Sequence, residues 1–363
     1  MNKSLYFELV QKYFPQLVLS IVERLNEKRA NQLPYLFKEL LAPTFSADGR
    51  WASVLAEYNR VAADVVALDS ELPLKSRDSI ETASGDIPKL GMKLYLTEKQ
   101  MKDIDAMIAQ GLPINQVLNK VFNDLPRCIE GVWERIEDMF LSGLSTGVAL
   151  STRNNGTGVR VDYKYYDANK FGVSALWADA ENSTPLTDLQ STIFDKAISD
   201  QNTITDLWMD DFALRNFYKS KEVRAQFAFN SQAIAVDGNS VPVLDFDKAA
   251  NVVATKWGVT LHRISRKVKT EINGQKQTHA PWQEGMVVAT CDNVLGSLVW
   301  TTCAEATRPA EQVQYQTVDD YILLSKYSKN DPLREFTSSQ AMVVPIIDNV
   351  DRIYTLNTKE VQA

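Results

Sequence analysis

"ELPLKSRDSIETASGDIPKLGMKLYL", residues 71–96, is the stretch on which the fold turns. It is long, polar and strongly charged, and Tyr95 is its one aromatic residue. Pro73 and Pro88 keep it from being a helix, because each lacks a backbone N–H. Ser84-Gly85-Asp86 at its centre is turn chemistry. The flanks are therefore expected to pair as a hairpin of strands about ten residues long, reaching on the order of 30 Å at roughly 3.3 Å per residue. Such an arm holds too little apolar surface to order itself on its own subunit. Isolated hairpins are marginal in water, and ordering costs roughly 1–2 kcal/mol per residue in backbone entropy.

Before this stretch, residues 1–70 read as short helices. Ser4 is a candidate cap for the first, Pro15 is expected to interrupt it, and Val18, Ile21, Val22 and Leu25 recur at helical spacing. Trp51, Val54, Leu55, Tyr58, Val61, Ala62 and Val65 form a stripe of period 3.6, which predicts a further helix. After it, Thr97-Glu98-Lys99-Gln100 is a capping box that opens a helix to about Gln110, with Gly111 just beyond. A long helix is expected over about 114–144, kinked or divided at Pro126. Val159, Val161, Tyr163 and Tyr165 alternate as in a strand, Leu186–Ile198 and Phe212–Phe217 read as helices, and Ser220 can cap another. From Val252 onward strands are expected, with a tight hairpin at Asn273-Gly274 and closing strands near 321–328, 340–347 and 352–356. The fold class is α+β, helices first and sheet later.

The totals narrow the function. The chain has 363 residues, 45% hydrophobic and 23% charged, as in a soluble globular protein with a sizeable core. No apolar run reaches the roughly 18–20 residues a membrane helix needs, and the N-terminus lacks the pattern of a secretory signal. Cys128, Cys291 and Cys303 are few, odd in number and widely spaced, which predicts neither a disulfide framework nor a zinc site. Net charge is −7 and the pI about 5.1, against the basic balance of a dedicated nucleic-acid binder. Arg263, Arg266, Lys267, Lys269 and Lys276 form the one local basic cluster. It reads as a solvated hairpin first and a phosphate-contact patch second.

Catalytic patterns fail on context. Gly143-Leu144-Ser145-Thr146-Gly147 matches the G-x-S-x-G elbow, but that motif needs a strand, a sharp turn and a helix, whereas here Ser and Gly follow a helix. His262 and His279 come later, in a strand pattern and a loop. Asp210-Asp211 and Asp319-Asp320 are adjacent in sequence and read as surface charge, because neighbours do not face together. No phosphate loop, dinucleotide fingerprint or calcium loop is present. No cofactor, metal or catalytic residue is expected, and a large chain without chemistry points to a structural or binding role.

The order of segments carries a resemblance. "LPLKSRDSIETASGDIPKLGMKLYLTE", "ITDLWMDDFALRNFYKSKEVRAQF" and the closing "LGSLVWTTCAEATRPAEQVQYQTVDDYILLSKYSKNDPLREFTSSQAMVVPIIDNVDRIYTLNT" resemble, in turn, the extended loop, the axial-domain helix and the final segment of the lambda phage major capsid protein E family. That family has the Hong Kong 97 phage capsid fold. The resemblance implies an N-terminal arm (1–70), an extended loop (71–96), a peripheral domain (97–180 and 306–363) with a spine helix of about 114–144, and an axial domain (181–305). It implies a homo-oligomer of pentamers and hexamers that closes as the head of a tailed DNA phage or prophage. Double-stranded DNA is held in the lumen without sequence-specific binding. Separate scaffold and portal proteins, and in some cases a decoration protein, are the other partners. The expected location is the virion capsid, assembled in the cytoplasm of a bacterial host. The extended loop then lies on a neighbouring subunit through Lys75, Arg77, Asp78, Glu81, Asp86, Lys89 and Lys93, and the Asp331-Pro332 turn makes contact through Asp331, Arg334 and Glu335. Some relatives weld an arm lysine to an asparagine. Here Lys75 and Lys89 have neighbours that favour the charged form, and Asn330 reads as a solvated turn, so shells without covalent links are expected. An encapsulin-like compartment is the rival with the same fold, and a serine hydrolase using Ser145 the rival without it.

Overall fold

The computed structural model describes residues 2–27, 33–56, 80–151, 159–230, 243–272 and 274–362. In chain order the elements are α1 (Phe7–Asn26), α2 (Leu36–Leu40), β1 (Leu41–Phe45), β2 (Arg50–Ala56), β3 (Ile80–Asp86), β4 (Lys89–Leu96), α3 (Glu98–Ala109), α4 (Ile114–Val121) and α5 (Leu125–Thr146). There follow β5 (Val148–Ser151), β6 (Val159–Asp162), β7 (Lys170–Val173), α6 (Pro185–Leu189), α7 (Asp195–Ser199), β8 (Asp206–Asp210), α8 (Asp211–Lys219), α9 (Lys221–Asn230) and α10 (Phe246–Trp257). The closing elements are β9 (Thr260–Ile264), β10 (Val268–Ile272), β11 (Gln275–His279), β12 (Met286–Thr290), β13 (Gly296–Thr301), α11 (Ala304–Thr307), β14 (Gln314–Val318), β15 (Ile322–Asn330), β16 (Leu333–Ile347) and β17 (Ile353–Val361). Two compact units result, Met1–Trp51 with Gly85–Asp138 and Ser297–Pro345, and Ala52–Ser84 with Met139–Gly296 and Ile346–Ala363.

The first unit is built on a sheet in the order β1-β13-β16-β15-β14, with β4 added to β16. Helix α1 packs along β14, burying Val10, Phe14, Val18 and Ile21, the one-face spacing of an amphipathic helix. Pro15 does not interrupt it. The proline lies on the exposed side, where water can satisfy the carbonyl it leaves unpaired, and packing of the opposite face outweighs its local cost. Ser4 does not cap α1, whose N-cap position is Tyr6. The expected long helix is two: α4 ends at Val121, and Pro126 falls in the first turn of α5, where a missing N–H costs nothing. The capping box forms as read, Gln100 N–H donating to Thr97 Oγ1 and Thr97 N–H to Gln100 Oε1.

The second unit is built on a sheet in the order β7-β17-β12-β8-β9. Its core gathers Trp177, Leu189, Ile193, Leu207, Met209, Phe217, Val252, Val253, Val287, Ala289, Tyr354 and Leu356. Expected strands from Val252 give way to α10. Asp245 caps that helix through Lys248 N–H, and Gly258 ends it at φ 72°, so the signal lay just outside the apolar pattern. Ser220 caps α9 through Val223 N–H as expected. The tight hairpin joins β10 to β11 in register, with Gly274 at φ 76°; Asn273 lies outside the described residues. Strand β17 pairs with β12 and β7, so residues 353–361 belong to this second sheet.

Two expectations about the arm change. Residues 50–56 are strand, not helix, and the rest of the helical stripe lies outside the described residues. Its partner is β3. Ser84-Gly85-Asp86 is not a turn but the end of β3. Gly85 is needed there because a Cβ would come within 2.9 Å of Trp51 Nε1. Within the described part, 80–96, the two strands do not pair with each other: β3 pairs with β2, and β4 joins the large sheet through β16.

Candidate assembly surface

Side chains alternate across a strand, so the β4–β16 register sorts the arm's end. Lys93 lies opposite Ser338 and Tyr95 opposite Phe336, on one face. There Tyr95, 43% exposed, meets Phe336 at 5.9 Å between ring centroids, and Phe336 stacks on Tyr327 at 5.3 Å. Arg334 places its guanidinium 4.1 Å from the Tyr95 centroid, with Lys93 and Lys329 at 5.8 and 5.9 Å from that of Phe336. The result is a small core cluster, Phe336 and Tyr327 with Val313, covered on its outer side by exposed Tyr95 and rimmed by cations. Arg and aromatics are the residues enriched at protein interfaces.

The other face of β15–β16 is buried as well and holds a charged pair. Lys326 and Glu335 have no exposed side-chain surface, and Nζ lies 3.8 Å from Oε1. Lys326 donates to Val121 O and Thr337 Oγ1, each at 3.0 Å. Glu335 accepts from Ser4 Oγ and from Leu5 N–H, the latter at 2.9 Å. Ser328 Oγ donates to Lys3 O, and Asn2 exchanges backbone bonds with Ser328. Burial pushes the Glu335 carboxyl up and the Lys326 ammonium down, each opposed by the other's charge. The chain's first residues are thus seated on the sheet by a buried carboxylate. A second one, Glu137 of α5, accepts the N–H groups of Leu36 and Phe37 at 3.0 Å and caps α2 from outside.

The sequence-read contact residues are dispersed. Lys75, Arg77 and Asp78 lie outside the described residues, and Glu81 falls within β3. Asp86 is exposed, 3.4 Å from Arg50. Lys89 donates to Glu305 at 2.7 Å, and that bond holds the Glu305 carboxyl below its usual range. Asp331 is exposed on the two-residue β15–β16 turn. Glu335, fully buried, serves its own chain. The structure brings Lys93 and Arg334 to the rim of one aromatic cluster; exposed Tyr95 and buried Phe336 and Tyr327, which form it, were missed. Of the carboxylate neighbours, Asp320 is exposed as read and Asp211 pairs with Arg263 near the surface, while Asp210 and Asp319 differ from expectation. Asp210 caps α8 through Ala213 N–H, and burial pushes its carboxyl up. Asp319 accepts from Trp133 Nε1 at 2.9 Å.

Ser145 has no base. It sits in the last turn of α5, buried, donating to Leu141 O and accepting from Gln283 N–H. It borders a cavity of about 550 Å³ with no histidine among its lining residues. His262 instead stacks on Trp208 at 4.0 Å and pairs with Asp206 at 2.6 Å, and His279 ends β11 instead of lying in a loop. Among the described residues no group of three or more His, Cys, Asp or Glu gathers as a metal site, and no helix is long and apolar enough to cross a membrane.

The same architecture recurs in solved structures. A crystal structure described as the capsid protein of a prophage of E. coli CFT073 matches with a TM-score of 0.59 and 12% identity, over 94% of this chain and 98% of that one. A phage-related protein from Bordetella bronchiseptica RB50 matches at 0.52 and 12%, over 95% and 96%. No curated protein matches. The fold is the α+β capsid fold of the Hong Kong 97 type, the class from which tailed phages build their heads. Within that class, the chain belongs to the phage major capsid protein E family, whose profile matches residues 55–356. It is a structural subunit of a virion capsid.

Proposed function

We propose that copies of this chain assemble through pentamers and hexamers into the closed icosahedral head of a tailed DNA phage or prophage, in the cytoplasm of its bacterial host. The family match over residues 55–356 carries the reading. In it, residues 1–70 are the N-terminal arm and 71–96 the extended loop, with Lys75, Arg77, Asp78, Glu81, Asp86, Lys89 and Lys93 toward a neighbour. Exposed Tyr95, with Arg334 and Asp331 beside the β15–β16 turn, is a second contact. Heterologous contacts of this kind close into rings. The lumen holds double-stranded DNA without sequence-specific binding, which an acidic subunit suits, since affinity for phosphate grows with each Lys or Arg contact. Scaffold, portal and any decoration protein are separate chains. The subunit performs no catalysis.

Electron microscopy of the chain overexpressed alone and with phage head-assembly proteins tests the reading. Icosahedral shells, empty or holding DNA, are expected, and heated in detergent they run as single chains of 40.8 kDa. Shells filled with a cargo enzyme would assign an encapsulin-like compartment instead. A monomer labelled at Ser145 by a fluorophosphonate would assign a hydrolase.

A further inference from the structure

Among the described residues, strands β10 and β11 form a two-stranded antiparallel ribbon that joins no larger sheet. Every β11 residue is exposed, as are Lys269 and Glu271 of β10, and Val268 is its buried foothold. The register sets Lys269 opposite Thr278 and Glu271 opposite Lys276, all on one face. From Arg266 to His279 there are four cations and one anion, a net +3, which leaves −10 on the rest of a chain whose total is −7. A cationic ribbon thus projects from an acidic subunit. Two-stranded ribbons are marginal when unsupported, so a partner surface is the expected source of its order.

We propose that the β10–β11 ribbon docks on an acidic surface of a second copy of this chain. The proposal rests on the shell reading above. Subunits of net charge −7 repel one another as they gather. A contact of opposite sign steers and orients that approach, and like-charged alternatives are penalised. The contact repeats at every subunit, so a weak pair gains avidity across the shell. Duplex DNA is the poorer occupant: four cations supply few phosphate contacts, and the chain's pI of about 5.1 is far from that of a nucleic-acid domain.

The test compares wild type with the triple variant Lys267→Glu, Lys269→Glu and Lys276→Glu, by sedimentation and electron microscopy at about 0.15 M salt. The variant should keep the wild-type circular dichroism and melting profile while its shell yield falls by about tenfold or more. Independently, a photo-crosslinking amino acid at Thr278 in otherwise wild-type shells should join two copies, with the captured peptide rich in Asp and Glu. Normal shell yield from the variant, or shells without such adducts, overturns the proposal. Duplex-DNA binding by the unassembled wild type that is lost in the variant, with assembly intact, overturns it in favour of nucleic acid. A wild-type chain that never forms shells fails the parent reading, and the ribbon proposal with it.

Discussion

Lys326→Met takes the ammonium out of the buried pair and keeps most of the side-chain volume. At 3.8 Å and an effective dielectric near 20, the attraction lost is about 4 kcal/mol. Val121 O and Thr337 Oγ1 also lose their donor, at about 1–3 kcal/mol for each buried group left unpaired. These losses share one network and do not add. Protonation of Glu335, which burial already favours, caps them. Breaking a buried pair by removing one partner costs about 3–5 kcal/mol, and about 3–4 kcal/mol is expected here. Urea unfolding of the unassembled subunit, followed by tryptophan fluorescence, should show the midpoint falling by roughly 1–3 M. Adding Glu335→Gln, which keeps an acceptor for Ser4 and Leu5 but removes the charge, should recover part of the loss. A Lys326→Met variant within about 0.5 kcal/mol of wild type, or a strictly additive double variant, would refute the reasoning.

Glu335 also gives the stability a pH dependence. Its folded-state affinity for a proton is raised, so between the ordinary value of 4.5 and its raised value the folded state binds more protons. Stability should therefore fall as pH rises through that window, and Glu335→Gln should flatten the slope in urea midpoints measured across it. Gly143→Ala would place a Cβ 2.4 Å from Cε2 of the buried Tyr163. Overpacking of about 1–3 kcal/mol should exceed the roughly 1 kcal/mol helix-propensity gain, so a lower melting temperature is expected. Glu137→Gln should weaken the two bonds to Leu36 and Phe37 by about 1.5–3 kcal/mol, which faster limited proteolysis near Tyr35 and Lys38 would reveal.

Local chemistry was legible wherever a few neighbouring residues suffice. Thr97 and Gln100 cap α3, Ser220 caps α9, and the β10–β11 hairpin and the closing strands fall where turn residues and alternation put them. Segment order was enough to point to the capsid family that the profile match then showed. The missed elements were settled by distant partners. Trp51–Ala56 reads as helix by period, yet becomes strand because β3 supplies its hydrogen bonds.

The candidate surface divides the same way. Lys93 and Arg334 were visible as charges in the right segments, but the β4–β16 pairing alone brings Tyr95 against Phe336. Lys326 and Glu335 look like surface residues in the sequence, as Lys and Glu almost always are. Strand register turns them inward and opposite residues from the chain's start close over them. Caps, turns and periodicity are energies of neighbours in sequence, and the chain states them directly. Which strand edge pairs with which, and which charge is taken out of water, depend on residues hundreds of positions apart, and only the folded chain decides them.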